Sequence, residues 1–324
     1  MKAAVNTRYG PPSVIQIMEV PKPLPEEEEV LIRIMASTVN RTDCGFRNPE
    51  YLLVRLISGL FRPKRTVLGS ELSGIVEAVG SRVTRFKPGD EVFGLNTFKF
   101  GTHAEYVCVH QTKAITLKPK NMNFEEAAAV CDGAFLAWAN LKTFDLNKTN
   151  KILINGATGS IGIASLQLAK QAGAHVTAVC NTKNKELIRS LGADVLIDYL
   201  QEDFTQCGDT FDLILDSVGK SSYFKCRKLL RPRGVYISSE LGFLAQNIFL
   251  TLFTALRPGK KVLFPIPRDT KEDMEYFRSL IEAGKYKAVI DKVYPLDQIV
   301  EATCYVETGE KTGNVVIVVN PPIN

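Results

Sequence analysis

Between residues 151 and 265 the sequence alternates short β-branched runs with helix-length amphipathic segments. Because two parallel strands need a long crossover between them, this alternation is typical of a parallel sheet covered by helices. It predicts an α/β fold with a doubly wound, six-stranded parallel domain. The predicted strands are 151–155, 175–180, 195–198, 211–216, 235–239 and 261–264, and the predicted helices between them are 161–172, 184–191 and 221–230.

The two ends of the chain show a different pattern. The first 120 residues contain alternating runs at 30–34, 74–79 and 105–109, separated by Pro and Gly turns, which indicates a mainly β domain. After the doubly wound segment, 271–283 and 296–307 are predicted helices and 314–319 a final strand that returns to the N-terminal domain. With 324 residues, we expect one domain from 1–122 with 270–324 and a second from 123–269.

Composition excludes several classes of function. Hydrophobic residues make up 45% and charged residues 23% of the chain, as in an ordinary globular protein. The net charge of +5 is spread over the chain without a Lys/Arg block, so no nucleic-acid partner is expected. The seven cysteines are scattered and include no C-x-x-C pair, which argues against a disulfide framework or a zinc knuckle. A reducing compartment is therefore expected.

The N-terminus has no signal-peptide hydrophobic region, which predicts a cytoplasmic protein. The most apolar stretch, 241–256, is shorter than the ~20 residues that span a bilayer. We therefore expect no membrane span, and we interpret this stretch as a helix that covers a pocket or a subunit contact.

A glycine turn follows the first predicted strand of the doubly wound domain. It has the spacing G-x-x-G-x-x-G and consists of Gly156, Ala157, Thr158, Gly159, Ser160, Ile161 and Gly162. In a strand–turn–helix context, such glycines permit a tight turn, close approach to a pyrophosphate, and packing of the helix on the strand. The turn therefore predicts a dinucleotide site, whereas the same glycines alone would be compatible with a structural turn.

The end of the second strand indicates which dinucleotide binds. NAD-binding domains carry an acid there for the ribose hydroxyls, but no acid lies between Lys170 and Glu186. Thr182, Lys183 and Lys185 stand there instead and suit a 2′-phosphate. We therefore predict NADPH as cofactor; the alternative is that these lysines are only the solvated start of a helix.

Metal and hydrolase motifs are missing from the sequence. Three histidines occur without an H-E-x-x-H or paired-cysteine motif, and there is no G-x-S-x-G nucleophile elbow. These absences favour hydride chemistry, in which the cofactor supplies the reactivity.

Several motifs lie along the chain in addition to the strand and helix pattern. They are Asn40-Arg-Thr-Asp43 with Arg47, 68–74 running to Gly80, 86–92, 101–106, the glycine turn, 216–219 and 313–316. Together they resemble the medium-chain dehydrogenase/reductase family, and within it the zinc-independent quinone oxidoreductase (zeta-crystallin-like) branch. The resemblance covers nearly the whole chain and implies a GroES-like catalytic domain that encloses a Rossmann domain.

The resemblance also implies a site without zinc. Zinc-bearing relatives have Cys where this chain has Asn40 and His where it has Ser70, so two zinc ligands are absent. Cys131 lies near the position of the third ligand, but one thiolate cannot form the site. We interpret Cys131 as a buried cysteine and predict no metal. Without a metal, an electron-poor acceptor such as a quinone or enone is favoured over an alcohol.

For catalysis, we expect Asn40 and Tyr51 to hydrogen-bond the carbonyl or incipient oxyanion of the acceptor. Tyr51 begins the segment 51–61, which departs from the shorter loop usual in quinone reductases. This segment is interpreted either as an apolar lid over the acceptor or as a core-facing helix.

For the cofactor, the resemblance places the pyrophosphate on Gly159, Ser160 and Ile161. It places the adenosine phosphate near Thr182, Lys183 and Tyr199, and the nicotinamide near Val218, Ser238, Pro265 and Asn314. It further implies a homodimer that pairs through the strand 261–264. The alternatives are a 2-alkenal or enoyl-thioester reductase, which shares this cofactor arrangement, and a non-catalytic NADPH-binding protein.

Overall fold

The computed structural model describes residues 1–50, 52–97, 99–146 and 150–321, with the backbone alone at 52 and 53. These residues form two compact units. The first consists of Met1–Asp132 and Asp269–Asn324, and the second of Gly133–Arg268.

The strands are β1 (Lys2–Val5), β2 (Gln16–Glu19), β3 (Glu29–Val39), β4 (Glu71–Val79), β5 (Glu91–Leu95), β6 (Tyr106–His110), β7 (Ile115–Leu117), β8 (Lys151–Asn155), β9 (His175–Cys180), β10 (Val195–Asp198), β11 (Phe211–Asp216), β12 (Leu230–Ser238), β13 (Lys261–Leu263), β14 (Ile290–Pro295) and β15 (Asn314–Val318). The helices are α1 (Arg41–Arg47), α2 (Leu52–Ser58), α3 (Phe124–Ala128), α4 (Cys131–Leu141), α5 (Ser160–Gln171), α6 (Lys185–Ser190), α7 (Tyr223–Cys226), α8 (Gln246–Ala255), α9 (Lys271–Glu282) and α10 (Ile299–Thr308). Short 3₁₀ turns occur at Pro12–Val14, Thr182–Asn184, Phe204–Gln206, Arg227–Leu229, Phe243–Ala245 and Leu296–Gln298.

The second unit contains a six-stranded sheet in the order β10-β9-β8-β11-β12-β13, and every neighbouring pair is parallel. Numbered from β8 within the unit, this order is 3-2-1-4-5-6, which is the doubly wound order of dinucleotide-binding domains. The fold class predicted from the alternating pattern is confirmed. The strand order reverses between β8 and β11, so a crevice for a ligand is expected beyond the carboxyl ends of these two strands.

The first unit is mainly β. Its seven-stranded sheet follows the order β14-β15-β3-β4-β5-β7, with β6 also paired to β3, and all pairs except β14–β15 are antiparallel. The C-terminal strand β15 pairs with β3, so the two segments of this unit share one sheet. They also share a hydrophobic core, in which Val39 and Cys44 pack with Ile299, Val306 and Ile317.

The first unit extends to Asp132, beyond the boundary at 122 expected from the sequence. The reason is helix α3, whose last residue Ala128 and C-cap Ala129 are buried and form a core cluster with Ala36 of β3 and Val316 of β15. Burial of these apolar side chains holds residues 123–132 on the mainly β sheet.

The predicted helix 221–230 is largely wrong. Only Tyr223–Cys226 is α-helical, and a 3₁₀ turn follows at Arg227–Leu229. Strand β12 then begins at Leu230, earlier than expected, because Leu230 pairs with Phe211 and both side chains are buried in the core beside the sheet. Within the described residues, we find no helix that is long and apolar enough to cross a membrane.

Candidate active site

The glycine turn connects β8 to α5, and two of its glycines are required by close contacts. Gly156 has φ +79°, a conformation that disfavours other residues, and a Cβ there would lie 2.4 Å from Cγ1 of Val218. A Cβ on Gly162 would lie 2.1 Å from the carbonyl oxygen of Gly156. The structure therefore brings the predicted residues Gly156, Gly162 and Val218 together at the carboxyl ends of β8 and β11.

Gly159 differs from these two glycines because the protein leaves room beside it. It is the N-cap of α5, with φ −77° and no side chain to accept a hydrogen bond from the first turn. A Cβ at this position would have its nearest neighbour, the Gly156 oxygen, 3.7 Å away. The first-turn amides of Ser160 and Ile161 therefore face a space that suits an anion such as a pyrophosphate.

A buried carboxylate, Asp216, organises the carboxyl edge of this sheet; its motif was recognised in the sequence, but this role was not predicted. Asp216, at the end of β11, accepts hydrogen bonds from Asn155 Nδ2 at 3.0 Å, the Ser221 amide at 2.9 Å and the Tyr236 hydroxyl at 3.2 Å. These donors come from β8, from the segment after β11 and from β12. Asp216 thus fixes the relative positions of the strand ends that border the crevice.

Two buried hydroxyls at this edge have no hydrogen-bond partner among the residues that the structure describes. They belong to Ser217 and Ser239, which follow the paired residues Asp216 and Ser238 on neighbouring strands. Buried polar atoms are nearly always satisfied by a protein group, water or a ligand, so these two hydroxyls are available to a polar ligand at this edge. Ser238 itself accepts a 3.3 Å bond from the Glu240 amide. The signal for Ser217 and Ser239 in sequence is their position directly after two parallel strands.

The region predicted to bind the adenosine phosphate contains a pre-formed ion pair. Asp198, at the end of β10, accepts a 2.6 Å bond from the Thr182 hydroxyl and pairs with Lys185 Nζ at 3.0 Å. These contacts, led by the Thr182 bond, lower the pKa of Asp198. Thr182 and Lys185 therefore have protein partners, while Lys183 and Tyr199 are exposed.

In the first unit, Asn40 lies in a buried hydrogen-bonded cluster. Its side-chain oxygen accepts the Asp43 amide at 2.9 Å, which caps α1 as part of a capping box. Its Nδ2 donates to Ser70 Oγ at 3.0 Å and to Glu71 Oε2 at 3.3 Å. Asn40 and Ser70, where the resemblance implies two ligands in zinc-bearing relatives, are thus bonded to each other.

Glu71 is the centre of this cluster. Its Oε1 accepts the Asp132 amide at 2.7 Å, and its Oε2 accepts the Thr38 hydroxyl in addition to Asn40. Burial raises the pKa of Glu71 to about 7, against the hydrogen bonds that lower it. Burial, followed by the nearby charge of Glu71, also raises the pKa of Asp132 well above its usual value. The two acids therefore hold a proton more tightly than free carboxylic acids.

We expect this cluster to make the stability of the protein depend on pH. Because the folded-state pKa of Glu71 lies above its unfolded value, its contribution is fully present below pH about 4.5 and is lost as the pH rises through about 7. Between pH 5 and 8 the wild type should lose on the order of 2 kcal/mol of unfolding free energy from this group. Urea denaturation across this range measures the loss.

The control for this prediction is another glutamate on β4. Glu77 is partly exposed and pairs with Lys22, so Glu77→Gln should retain the wild-type pH dependence, whereas Glu71→Gln should flatten it. A Glu71→Gln protein with the same slope of stability against pH as the wild type would contradict this assignment.

The other predicted residues are not hydrogen-bonded to the Asp216 or Glu71 clusters in the described part of the chain, or lie outside it. Asn314 is buried and its Nδ2 donates to the Val289 carbonyl at 3.2 Å within the first unit. Pro265 follows β13 and is partly exposed. Tyr51 lies outside the described residues. Among the residues that are described, no three His, Cys, Asp or Glu side chains are grouped so that they could hold a metal ion.

Comparison with known proteins finds relatives that align with nearly the whole chain. Residues 26–120 match the alcohol dehydrogenase GroES-like domain family, and residues 191–317 match the family described as zinc-binding dehydrogenase. The chain is 34% identical to the 2-methylene-furan-3-one reductase of Solanum lycopersicum and 30% identical to the chloroplastic NADPH-dependent alkenal/one oxidoreductase of Arabidopsis thaliana. Each alignment covers 98% of this chain and 79% of the relative.

Among solved structures, the quinone oxidoreductase from Coxiella burnetii superposes with a TM-score of 0.89 at 26% identity, over 99% of both chains. The two-unit fold, the glycine turn and these similarities all indicate the same family. The chain belongs to the medium-chain dehydrogenase/reductase family, among its quinone and enone oxidoreductases. The resemblance seen in the sequence is confirmed, and with it a nicotinamide cofactor.

Proposed function

We propose that this protein is an NADPH-dependent reductase of quinones or of related activated unsaturated carbonyl compounds, and that it works without zinc. The observation that carries the proposal is the open N-terminus of α5 at Gly159, at the reversal of a 3-2-1-4-5-6 sheet. The names of the relatives, which describe reduction of enones and alkenals, support the acceptor class.

Residues of the second unit would hold the cofactor. The first-turn amides of α5, at Ser160 and Ile161, would bind the pyrophosphate. The unpartnered hydroxyls of Ser217 and Ser239 would bind polar groups nearer the reactive end, and Asp216 would hold those strand ends in place. When bound, the nicotinamide supplies a hydride for the acceptor.

Asn40 would contribute to the chemistry from the first unit. An amide N–H directed at the acceptor oxygen stabilises the negative charge that develops there when hydride is added. The longer of the two bonds that its Nδ2 donates, the 3.3 Å contact to Glu71, is the one it would exchange for the acceptor. Ser70 and the capping bond to Asp43 keep the side chain in one orientation.

The preference for NADPH is proposed from charge at the end of β9. Asp198, the nearby acid, already pairs with Lys185 and Thr182, and Lys183 is exposed. We expect Lys183→Ala to raise KM for NADPH by about tenfold and to leave KM for NADH unchanged, since a charge-assisted contact to phosphate contributes roughly 1.5 kcal/mol. Initial rates with each cofactor measure this change.

Lys225→Ala is the matched control, because Lys225 is an exposed lysine of the same unit outside the cofactor region. It should leave both KM values unchanged. If Lys183→Ala raised KM for NADH as strongly as for NADPH, Lys183 would not recognise the 2′-phosphate.

The activity is tested by following NADPH oxidation at 340 nm with EDTA-treated protein and a panel of acceptors. The panel holds ortho- and para-quinones, 2-alkenals and enoyl thioesters, and NADH is run in parallel. We expect turnover of quinones or enones without metal. Turnover of alkenals or thioesters alone would support the 2-alkenal or enoyl-thioester reductase, and recovery only with zinc would overturn the metal-free site. NADPH binding without turnover would support the non-catalytic alternative.

A homodimer is also proposed. Strand β13 ends the six-stranded sheet, so its outer edge carries backbone groups that could pair with a second copy. Light scattering coupled to size-exclusion chromatography tests the dimer. The predicted cytoplasmic location stays a prediction, and some relatives are named as chloroplastic or mitochondrial.

A further inference from the structure

The chain between Asn40 and Ser70 leaves the candidate active site and returns to it. Asn40 caps α1 at the start of this stretch, and Ser70, at its end, accepts a 3.0 Å bond from the Asn40 side chain. Helix α2 and the turn that follows it lie between these two points. Both ends of the stretch are thus fixed at the residue that would bind the acceptor. Loops held in this way by a rigid scaffold often carry binding residues.

The outer side of α2 and its turn is apolar. Leu56 and Ile57 of the helix are 60% and 59% exposed, and Leu60 and Phe61 of the turn are 46% and 86% exposed. Together these four side chains form the α2 surface. Leu56 and Ile57 do not face the core, which leaves the interpretation of the segment as a lid. An exposed apolar surface on a folded domain marks a place of contact with an apolar partner.

Polar contacts on the other side hold α2 in this orientation. The Tyr9 hydroxyl lies 2.8 Å from Ser58 Oγ and donates to the Gly59 carbonyl at 2.6 Å. Ser58 is buried, although it is a polar residue of the helix. The guanidinium carbon of Arg55 lies 5.2 Å from the centre of the Tyr9 ring, within the range of a cation–π contact. Helix α2 therefore has a polar inner side, and its apolar side chains face outwards.

A closed turn follows α2 and carries Leu60 and Phe61. The Lys64 amide donates to the Ser58 carbonyl at 2.8 Å, which closes the turn. Gly59 has φ +123°, and a Cβ at this position would lie 2.1 Å from the carbonyl oxygen three residues later. Both apolar side chains are therefore carried by a constrained backbone next to α2.

Tyr9 and Gly10 tie the α2 surface to α1. The Gly10 amide donates at 3.3 Å to the carbonyl of Arg47, at the end of α1, next to the contacts of Tyr9 with α2. Helix α1 has 7 residues, and Asn40 caps its other end. The rise of such a helix separates Asn40 from the tie to α2 by a distance on the order of 10 Å.

We propose that the α2 surface binds the hydrocarbon chain of the acceptor, so that the protein prefers acceptors with a long alkyl or isoprenoid chain. This inference rests on the proposed reductase function. When the acceptor oxygen is bonded to Asn40, a chain of roughly eight carbons covers a distance on the order of 10 Å and reaches the α2 surface. Burial of its distal methylenes there removes apolar area from water and favours binding. An acceptor with a short chain makes no such contact.

Steady-state rates with NADPH test this inference on the full-length protein. The acceptors are para-quinones with a straight chain from ethyl to decyl, and alkyl vinyl ketones with the same chains are run beside them. Ethyl and decyl compounds share one reactive group, so their intrinsic reactivity is matched. We expect kcat/KM to be about tenfold higher for the decyl than for the ethyl compound, mainly through KM. The variant Leu56→Ser/Phe61→Ser should reduce this ratio to about two. Both side chains are exposed, so folding, checked by thermal unfolding, should be retained.

Leu24→Ser/Val293→Ser is the matched control, because Leu24 and Val293 are exposed apolar residues of the first unit outside the α2 surface. This control should keep the wild-type ratio. Equal kcat/KM for ethyl and decyl compounds, or a ratio that Leu56→Ser/Phe61→Ser leaves unchanged, overturns the inference, while turnover of the ethyl compounds still supports the reductase. Absence of turnover with every acceptor overturns both. If Leu56→Ser/Phe61→Ser dissociates an oligomer in light scattering and keeps the ratio, a second copy covers the α2 surface and the inference is wrong.

Discussion

Gly162→Ala is expected to destabilise the protein by about 4 kcal/mol, and Gly159→Ala to leave its stability within about 0.5 kcal/mol of the wild type. The added methyl at Gly162 would lie 2.1 Å from the Gly156 oxygen and 2.8 Å from Cα of Ala157, so the backbone must move. At Gly159 the nearest atom is 3.7 Å away. Thermal and urea denaturation measure both changes.

Gly159→Ala, which leaves stability nearly unchanged, is expected to weaken cofactor binding strongly. The methyl of Gly159→Ala would occupy the space where a pyrophosphate approaches the first turn of α5, and we expect Kd for NADPH to rise by about a hundredfold. Fluorescence titration with NADPH measures it. A stable Gly159→Ala protein with wild-type Kd would show that the pyrophosphate does not bind at this turn.

Asn40→Ser is expected to lower kcat by about a hundredfold and to change stability by less than about 1 kcal/mol. Serine can still accept the Asp43 amide and cap α1, but it has no amide to donate to an acceptor oxygen. Asn40→Ala removes both functions and should cost about 1 kcal/mol more in stability with a similar loss of turnover. Steady-state rates with a quinone or enone and NADPH measure the change in kcat.

Asn123 provides a matched control for this prediction. It caps α3 through a capping box of the same kind, in which its side-chain oxygen accepts the Glu126 amide at 2.8 Å. Asn123→Ser should therefore leave kcat and KM unchanged. If Asn40→Ser also retained full turnover, Asn40 would serve only as a helix cap and as a partner of Ser70 and Glu71.

Local patterns in the sequence predicted the second unit well. Strands β8, β9, β10 and β11 have the predicted bounds, because each is a β-branched run that ends at a turn or polar residue. The glycine turn was also predictable from local sequence, because its glycine spacing and the flanking strand and helix are contiguous along the chain. The segment after β11 was not, because tertiary pairing of Leu230 with Phe211 overrides the local helical pattern.

The cluster around Glu71 could not be predicted in this way. It joins Thr38, Asn40, Glu71 and Asp132, which lie on different elements, and no local spacing signals that they meet. Asp216 is a similar case, because its partners Asn155 and Tyr236 come from the two strands beside β11. Such clusters depend on sheet order, which hydrophobic periodicity does not specify.

The pairing of β15 with β3 has a consequence for biosynthesis. The second unit is continuous in sequence, so it can fold while the nascent chain is still being extended. The first unit begins earlier in the sequence but also contains a segment that follows the second unit and supplies β14, β15 and α10 to its sheet and core. Its N-terminal portion must therefore wait, with residues 36–39 of β3 lacking their antiparallel partner, until β15 has been synthesised.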